Sequence, residues 1–355
     1  MKHRFLHTIF LFATCFVASC EHPDLTVVTP NENIRPAADF IKNNFEMTLF
    51  HAALQKTGLA AELNQEGPFT VLVPNDVAFN EIGVFRPTDF DRMNQDSLRR
   101  IIKYHVLPRR MFLADIPANG VDVRYATLEG TSLHTSLASF NPTGGSAVND
   151  LFFDGASVLR KDVGLANGVL YVLDKVMKPQ FETNIQALLT AKPEYRVFVA
   201  GLKKFGLWEQ FGTAGPFTVF APTNKALESL GITEEVLATM DVAKYNAEEL
   251  FGTYIIYNKH FFISDSKVFS TINADGRYSY KLKGSPYVMT YFSNTSYPEW
   301  ILGYNLELKS SDDVFAQIIA RVEYRQRAKV DFLCTNGVVH NLETGLVKPG
   351  QALKK

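Results

Sequence analysis

One stretch of this chain is written twice. Gly67-Pro68-Phe69-Thr70-Val71-Leu72-Val73-Pro74-Asn75-Asp76-Val77-Ala78-Phe79 returns as Gly215-Pro216-Phe217-Thr218-Val219-Phe220-Ala221-Pro222-Thr223-Asn224-Lys225-Ala226-Leu227. A second pair follows each copy: Asn167-Gly168-Val169-Leu170 through Lys178-Pro179, and Asn336-Gly337-Val338-Val339 through Lys348-Pro349. Two motifs repeated in the same order imply tandem domains. The copies lie too far apart for a solenoid repeat, so each is expected to fold around its own core.

The N-terminus reads as a targeting segment. Lys2, His3 and Arg4 precede an apolar run, Phe5 to Val17, too short for a stable bilayer span. Val17-Ala18-Ser19-Cys20 is similar to a bacterial lipobox, in which Cys20 becomes the lipid-modified first residue. The competing readings are an ordinary secretory signal cut nearby and a chance cysteine. Each buried methylene of an acyl chain adds roughly 0.8 kcal/mol of membrane affinity, so a multiply acylated Cys20 would hold firmly. The expected organisation is a signal over 1–19, a tether over 20–33, a first domain over 34–179, a second over 180–349 and a tail over 350–355. Pro23, Pro30, Asn31 and Asn33 without periodicity mark the tether. The short boundary between the domains predicts that they touch.

Charge and cysteine usage narrow the partners. The chain has 36 basic and 37 acidic residues, and Lys2 and Arg4 would leave with the signal. That balance argues against nucleic acid, which needs a basic face, and against charge-driven binding to anionic lipid. Cys15 lies in the signal and Cys20 would carry lipid, which leaves Cys334 without a disulfide partner. Beside Phe332 and Leu333 it reads as a small core residue.

Both copies carry the same order of elements. A helix comes first, with Phe50, Ala53 and Leu54 in one copy and Phe198, Leu202 and Phe205 in the other. Gly58 and Gly206 stand where helix C-caps belong. Phe69–Val73 and Phe217–Ala221 predict buried strands, and Asn75-Asp76 and Thr223-Asn224 predict the helix starts that follow. Leu98, Ile101, Ile102 and His105 have helical spacing, as do Phe251, Tyr254, Ile255 and Asn258 when Tyr257 is set against Tyr104. Asn246 with Glu249 resembles a capping box. Closing strands start at Gly168 and Gly337. Helices and strands mixed without βαβ regularity predict an α+β fold.

These motifs, with the Tyr104-His105 pair, resemble the fasciclin-like (FAS1) domain over nearly all of the mature chain. The resemblance implies two tandem domains, each a wedge of β-sheet with helices packed around one side. It also implies cell adhesion, matrix contact and extracellular binding, without a shared catalytic centre. The family's Tyr-His pair is intact at Tyr104-His105 and reads Tyr257-Asn258 in the second copy, which puts an adhesion role near that pair in doubt there. His105 is expected either as a partly buried hydrogen-bonding residue or as a ligand contact, and Asn can donate and accept as neutral His does. His260 would be a shifted equivalent if a bulge intervened.

No cofactor, metal site or catalytic centre is expected. His22, His51, His105, His134, His260 and His340 show neither HExxH nor Cys-paired spacing, and there is no nucleophile elbow or P-loop. Gly144-Gly145-Ser146 reads as a loop tip. Asp312-Asp313 reads as a helix N-terminus before Val314-Phe315 rather than a calcium loop. An enzyme would require His105, His134 and an acid to converge in an open cleft.

The stretch from Asp265 to Asn336 is longer than its counterpart and dense in aromatics: Tyr278, Tyr280, Tyr287, Tyr291, Phe292, Tyr297, Trp300 and Tyr304. It is either a contact face, with Tyr291, Tyr297 and Trp300 the exposed members, or hairpin aromatics packed on their own sheet. Two function classes follow. One is a non-catalytic adhesion or interaction module at the cell surface, binding protein or matrix and anchored through Cys20, expected at the outer membrane of a Gram-negative bacterium. The other is a glycan-capture lipoprotein beside an outer-membrane transporter.

Overall fold

A computed structural model describes residues 34–141, 145–273, 275–294, 303–313, 315–324 and 329–354. The signal, the tether with Cys20 and His22, and Tyr297 and Trp300 lie outside the described residues.

In the first repeat, helices Ala37–Lys42, Thr48–Lys56 and Leu59–Glu62 lead into strand β1 (Phe69–Pro74). Helices Asp76–Asn80 and Gln95–Tyr104 follow. Then come β2 (Val106–Leu107), β3 (Val123–Ala126), β4 (Ser132–Phe140), β5 (Val148–Phe153), β6 (Ala156–Leu165) and β7 (Gly168–Leu173). The seven form one sheet in the order β2-β1-β7-β6-β5-β4-β3, in which β1 and β7 run parallel. These two central strands are apolar at nearly every position because both faces are covered. Val71, Val73, Leu170 and Val172 join the core under the helices, while Leu72, Val169, Tyr171 and Leu173 join a second core on the opposite face. Each fully buried side chain of this size contributes roughly 1.5–3 kcal/mol.

The second repeat reuses the plan. Helices Ile185–Ala191 and Arg196–Lys204 precede β8 (Phe217–Pro222), and helices Asn224–Glu228, Glu234–Thr239 and Ala247–Leu250 precede β9 (Ile255–Tyr257). Helix Asp265–Ile272 is followed by β10 (Tyr278–Lys281), β11 (Val288–Asn294), β12 (Gly303–Lys309), β13 (Ile318–Tyr324), β14 (Phe332–Cys334) and β15 (Gly337–Leu342). Here the strands form two four-stranded sheets, β10-β11-β12-β13 and β14-β15-β8-β9. In the first repeat β6 is long enough to pair with both β5 and β7. Among the described residues, the large apolar clusters of each repeat stay within that repeat.

The duplicated motifs are two halves of one joint. Phe69 pairs with Gly168, and Phe217 with Gly337. A Cβ on either glycine would sit 2.0 Å from the partner's carbonyl oxygen, so only glycine permits this approach. The asparagine just before each glycine ties the joint to the helices. Asn167 Oδ1 accepts from the Ala37 N–H at 3.0 Å and its Nδ2 donates to the carbonyls of Leu63 and Gln65. Asn336 does the same with the Ile185 N–H and the carbonyls of Phe211 and Thr213.

The expected caps form. Gly58 and Gly206 have φ of 72° and 75°, the left-handed residues that close their helices. Asn75 and Thr223 accept from the N–H groups of Ala78 and Ala226, and Asn246 accepts from Glu248 and Glu249. Two local expectations fail. The helix expected through Phe251–Asn258 stops at Leu250. Gly252–Tyr254 is a 3-10 turn and Ile255–Tyr257 is a strand. Thr253, Tyr254, Ile255 and Ile256 are all buried in succession, which a one-sided helix cannot do, and β-branched side chains suit β9. Asp312-Asp313 starts no helix; it lies in the turn between the antiparallel strands β12 and β13, where Asp313 Oδ1 accepts from the Phe315 N–H at 2.7 Å.

Candidate functional site

Tyr104 and His105 close the helix Gln95–Tyr104, and both are buried. His105 Nδ1–H donates to the Ile101 carbonyl at 2.8 Å, and Nε2 accepts from the Met177 N–H at 3.1 Å. The ring therefore pins this helix to the segment after β7. Burial holds the imidazole at about 4, against its ordinary 6.5, so it is neutral at pH 7. The Tyr104 hydroxyl donates to Asp154 Oδ2 at 2.6 Å, and burial, with that carboxylate, raises its pKa. Of the two readings, the hydrogen-bonding one describes His105.

The counterpart in the second repeat is not Tyr257-Asn258. Val71 pairs with Val106, and Val219 pairs with Ile255. The residues before these partners are Tyr104-His105 and Thr253-Tyr254. Tyr254 takes the place of His105: its hydroxyl accepts from the Leu346 N–H at 2.8 Å. Its ring meets Phe198 edge-on at 5.4 Å, as His105 meets Phe50 at 6.1 Å. Tyr257 lies in β9 and Asn258 adopts φ 59° just beyond it. His260 is therefore no shifted copy of His105.

The two repeats touch through a polar seam. Ser136 Oγ donates to Asp265 Oδ1 at 2.5 Å, and Lys175 Nζ lies 3.0 Å from Asp331 Oδ2. Burial pushes the Asp265 carboxyl up to about 7, against the lowering effect of its hydrogen bonds from Ser136 and the Phe262 N–H. The connector is clamped on both sides. Gln180 N–H donates to the Leu333 carbonyl at 2.7 Å, and Thr335 N–H to the Thr183 carbonyl at 3.1 Å. The Arg100 guanidinium lies 4.3 Å above the Phe181 ring while binding Glu129 and Glu182.

Beside this connector lies an open cleft of about 290 Å³ with walls from both repeats, among them Tyr104, His134, Phe181, His260, Leu333 and Cys334. Asp122, His134 and His260 converge at its edge. His134 Nδ1 is hydrogen-bonded to Asp122 Oδ1. His260 Nδ1 lies 3.7 Å from Asp122 Oδ2. The imidazole centroids are 4.6 Å apart. Arg124 Nη2 donates to Asp122 Oδ2 at 2.9 Å and reaches His260 Nδ1 at 3.3 Å. Burial alone would raise the Asp122 carboxyl, but His134, His260 and Arg124 outweigh it and hold the acid well below its ordinary range. Nothing in the spacing of 122, 134 and 260 announces this cluster, because the segment after β9 reaches the paired strands β3 and β4 only when the repeats dock. His105 takes no part in it.

Tyr278, Tyr280, Tyr287 and Tyr291 of the aromatic insertion turn toward the core of the second repeat. Tyr291 is 2% exposed and packs 4.3 Å from Phe261, so it is core and not an exposed contact residue. Strand alternation explains this: Met289 and Tyr291 face the same way, into the core that also holds Leu306 and Leu308. Tyr278 stacks on Phe269 at 4.0 Å. Cys334 is buried, and burial pushes its thiol up to about 12.

The Fasciclin domain profile matches residues 45–179 and again 193–348. Among curated proteins, mouse stabilin-2 is 27% identical over 190 residues, covering 52% of this chain and 7% of that protein. Human periostin is 26% identical over 203 residues, covering 56% of this chain and 22% of its own length. The chain thus spans well under two thirds of these relatives. The Synechocystis protein sll1483 is 32% identical over 130 residues, 36% of this chain and 64% of that one. Among solved structures, a FAS1 domain pair from the insect cell adhesion molecule fasciclin I aligns over 86% of this chain and 97% of its own. That alignment has 16% identity and a TM-score of 0.37.

Proposed function

This chain belongs to the Fasciclin domain family, and from that premise we propose that it is a non-catalytic adhesion or interaction module. It acts outside the cytoplasm, held to the membrane by lipid on Cys20, and binds protein or matrix at the cell surface of a Gram-negative bacterium. The observation that carries this reading is where the family residues go. His105, Tyr254, Asn167 and Asn336 all spend their polar atoms on internal joints. The solvent-open cleft lies instead where the two repeats meet, lined by Phe181, Leu333 and Arg124. An apolar floor with a charged rim suits recognition of another macromolecule. Among the described residues no helix is long and apolar enough to cross a membrane; in this reading the Cys20 lipid supplies the attachment.

The glycan-capture alternative loses Tyr291 to the core and rests on Tyr297 and Trp300. Adhesion of cells expressing the chain to a matrix-protein-coated surface tests the main reading, with Cys20→Ser and Phe181→Arg as variants and palmitate labelling to follow the lipid. Expressing cells should adhere above the non-expressing strain, and both variants should lose that gain. Equal adhesion with and without the protein refutes the function; adhesion kept in Phe181→Arg refutes the cleft as its site.

A further inference from the structure

We propose that Asp122, His134 and His260 form a site for a divalent transition cation of the zinc type, shared between the two repeats. One donor atom from each of these three residues can be chosen so that all lie within 4.8 Å of one another. Four-coordinate zinc with bonds of about 2.0–2.2 Å needs ligand atoms about 3–3.5 Å apart, so small side-chain rotations complete the set. Two imidazoles and one carboxylate suit zinc, cobalt or nickel rather than calcium or magnesium, which prefer all-oxygen sites. The cleft beside the cluster leaves room for water or a partner's side chain as a fourth ligand.

The scaffold fixes the chain at both histidines before any ion arrives. His134 sits in β4 opposite Arg124 of β3. Its N–H donates to Asp154 Oδ1, and its carbonyl accepts from the Asp154 N–H, both at 2.8 Å. His260 is bracketed by Thr218, whose hydroxyl donates to the Lys259 carbonyl at 2.8 Å and accepts from the Phe261 N–H at 2.9 Å. Two independent clamps, one per repeat, thus fix the backbone from which the imidazoles reach one carboxylate. Such preorganisation is what a tight metal site requires.

Arg124 is the competitor. Its guanidinium now occupies the space beside Asp122 Oδ2 and His260 Nδ1. Its side chain is half exposed on the cleft wall, so it can swing into solvent as the ion enters and keep at most one bond to the carboxylate. The Thr70 hydroxyl bridges the Arg109 carbonyl and the Met111 N–H as Thr218 bridges Lys259 and Phe261, which sets His260 against Arg110 of the first repeat. Among the described residues the site therefore has no second copy, and it exists only while the repeats are docked.

The test is titration of the full-length chain, untagged and chelator-stripped in detergent, with cobalt(II) followed by its visible absorption, then displacement by zinc(II). We expect saturable one-to-one binding, and a higher melting temperature with zinc. His260→Gln, His134→Gln and Asp122→Asn should each weaken binding at least about tenfold, while His51→Gln should leave it unchanged. Far-UV circular dichroism in chelator shows which variants remain folded, and ligands on both repeats ensure that the conclusion does not hang on one of them. Arg124→Ala should tighten binding several-fold; weaker binding there would overturn the displacement. No saturable binding at stoichiometric metal, or wild-type affinity in folded His260→Gln, overturns the site.

Discussion

Replacing His105 with leucine should cost stability at neutral pH and almost none in acid. The side chain is fully buried and its Nε2 is the acceptor for the Met177 N–H. Leucine leaves that buried donor unsatisfied, which costs about 1–3 kcal/mol, and loses the Nδ1–H bond to Ile101. A total of about 3 kcal/mol at pH 7 is expected, within the range for breaking a buried hydrogen-bonded pair. The pH dependence is more telling. The folded-state pKa is about 4 and the ordinary value 6.5, so the unfolded chain binds the extra proton first. The histidine's contribution is complete above pH 6.5 and is lost as pH falls toward 4. A gap of 2.5 pH units corresponds to about 3 kcal/mol. The variant has no such loss, so its deficit against the wild type should close across that interval. Urea unfolding followed by far-UV circular dichroism at pH 7.0, 5.5 and 4.5 measures it, and subtracting at each pH removes the contribution of every other group. Tyr254→Phe is the internal control. It removes the acceptor for the Leu346 N–H, but burial pushes that phenol up to about 12, so its cost of about 1–3 kcal/mol should not vary with acid. A His105→Leu deficit that stays constant from pH 7 to 4.5 would refute the neutral pin.

Asp265→Asn should stabilise the protein at pH 8.5 and change little at pH 4.5. The carboxyl has a folded value of about 7 above an ordinary 3.8, so the stability of its protonated form fades as pH rises between those values. The asparagine amide can keep both contacts, to Ser136 and the Phe262 N–H, and a gain of order 1–2 kcal/mol in thermal melts is expected at the higher pH. Gly168→Ala should abolish folding of the first repeat or destabilise it by more than about 3 kcal/mol, because the new Cβ would meet the Phe69 carbonyl at 2.0 Å; a soluble variant with a wild-type melt would contradict the joint. Tyr291→Ala should cost about 3–5 kcal/mol, the cost of a large-to-small change in a core, seen as a lower denaturation midpoint, and a neutral outcome would return Tyr291 to the surface.

The duplicated plan was legible because repetition and periodicity are local properties. Gly67–Phe79 and its copy predicted β1 and β8, and Asn75, Thr223, Gly58 and Gly206 placed helix ends, since caps depend on a few neighbouring residues. Where the linear reading slipped, a distant partner had decided. Phe251–Asn258 has helical spacing, yet pairing with β8 makes its second half a strand. That shifts the counterpart of His105 from Asn258 to Tyr254, a substitution of role that identity matching along the chain does not detect. Tyr291 looked like a contact residue until the register of β10 to β13 turned it inward. The cluster of Asp122, His134 and His260 is the extreme case. Its members have unremarkable neighbours in the chain, and one repeat alone supplies only two of them. Composition and motif order determined that there are two related domains of mixed helix and sheet. Docking decided what they present, because a site made of side chains far apart in sequence acquires its chemistry only from the distances that folding sets.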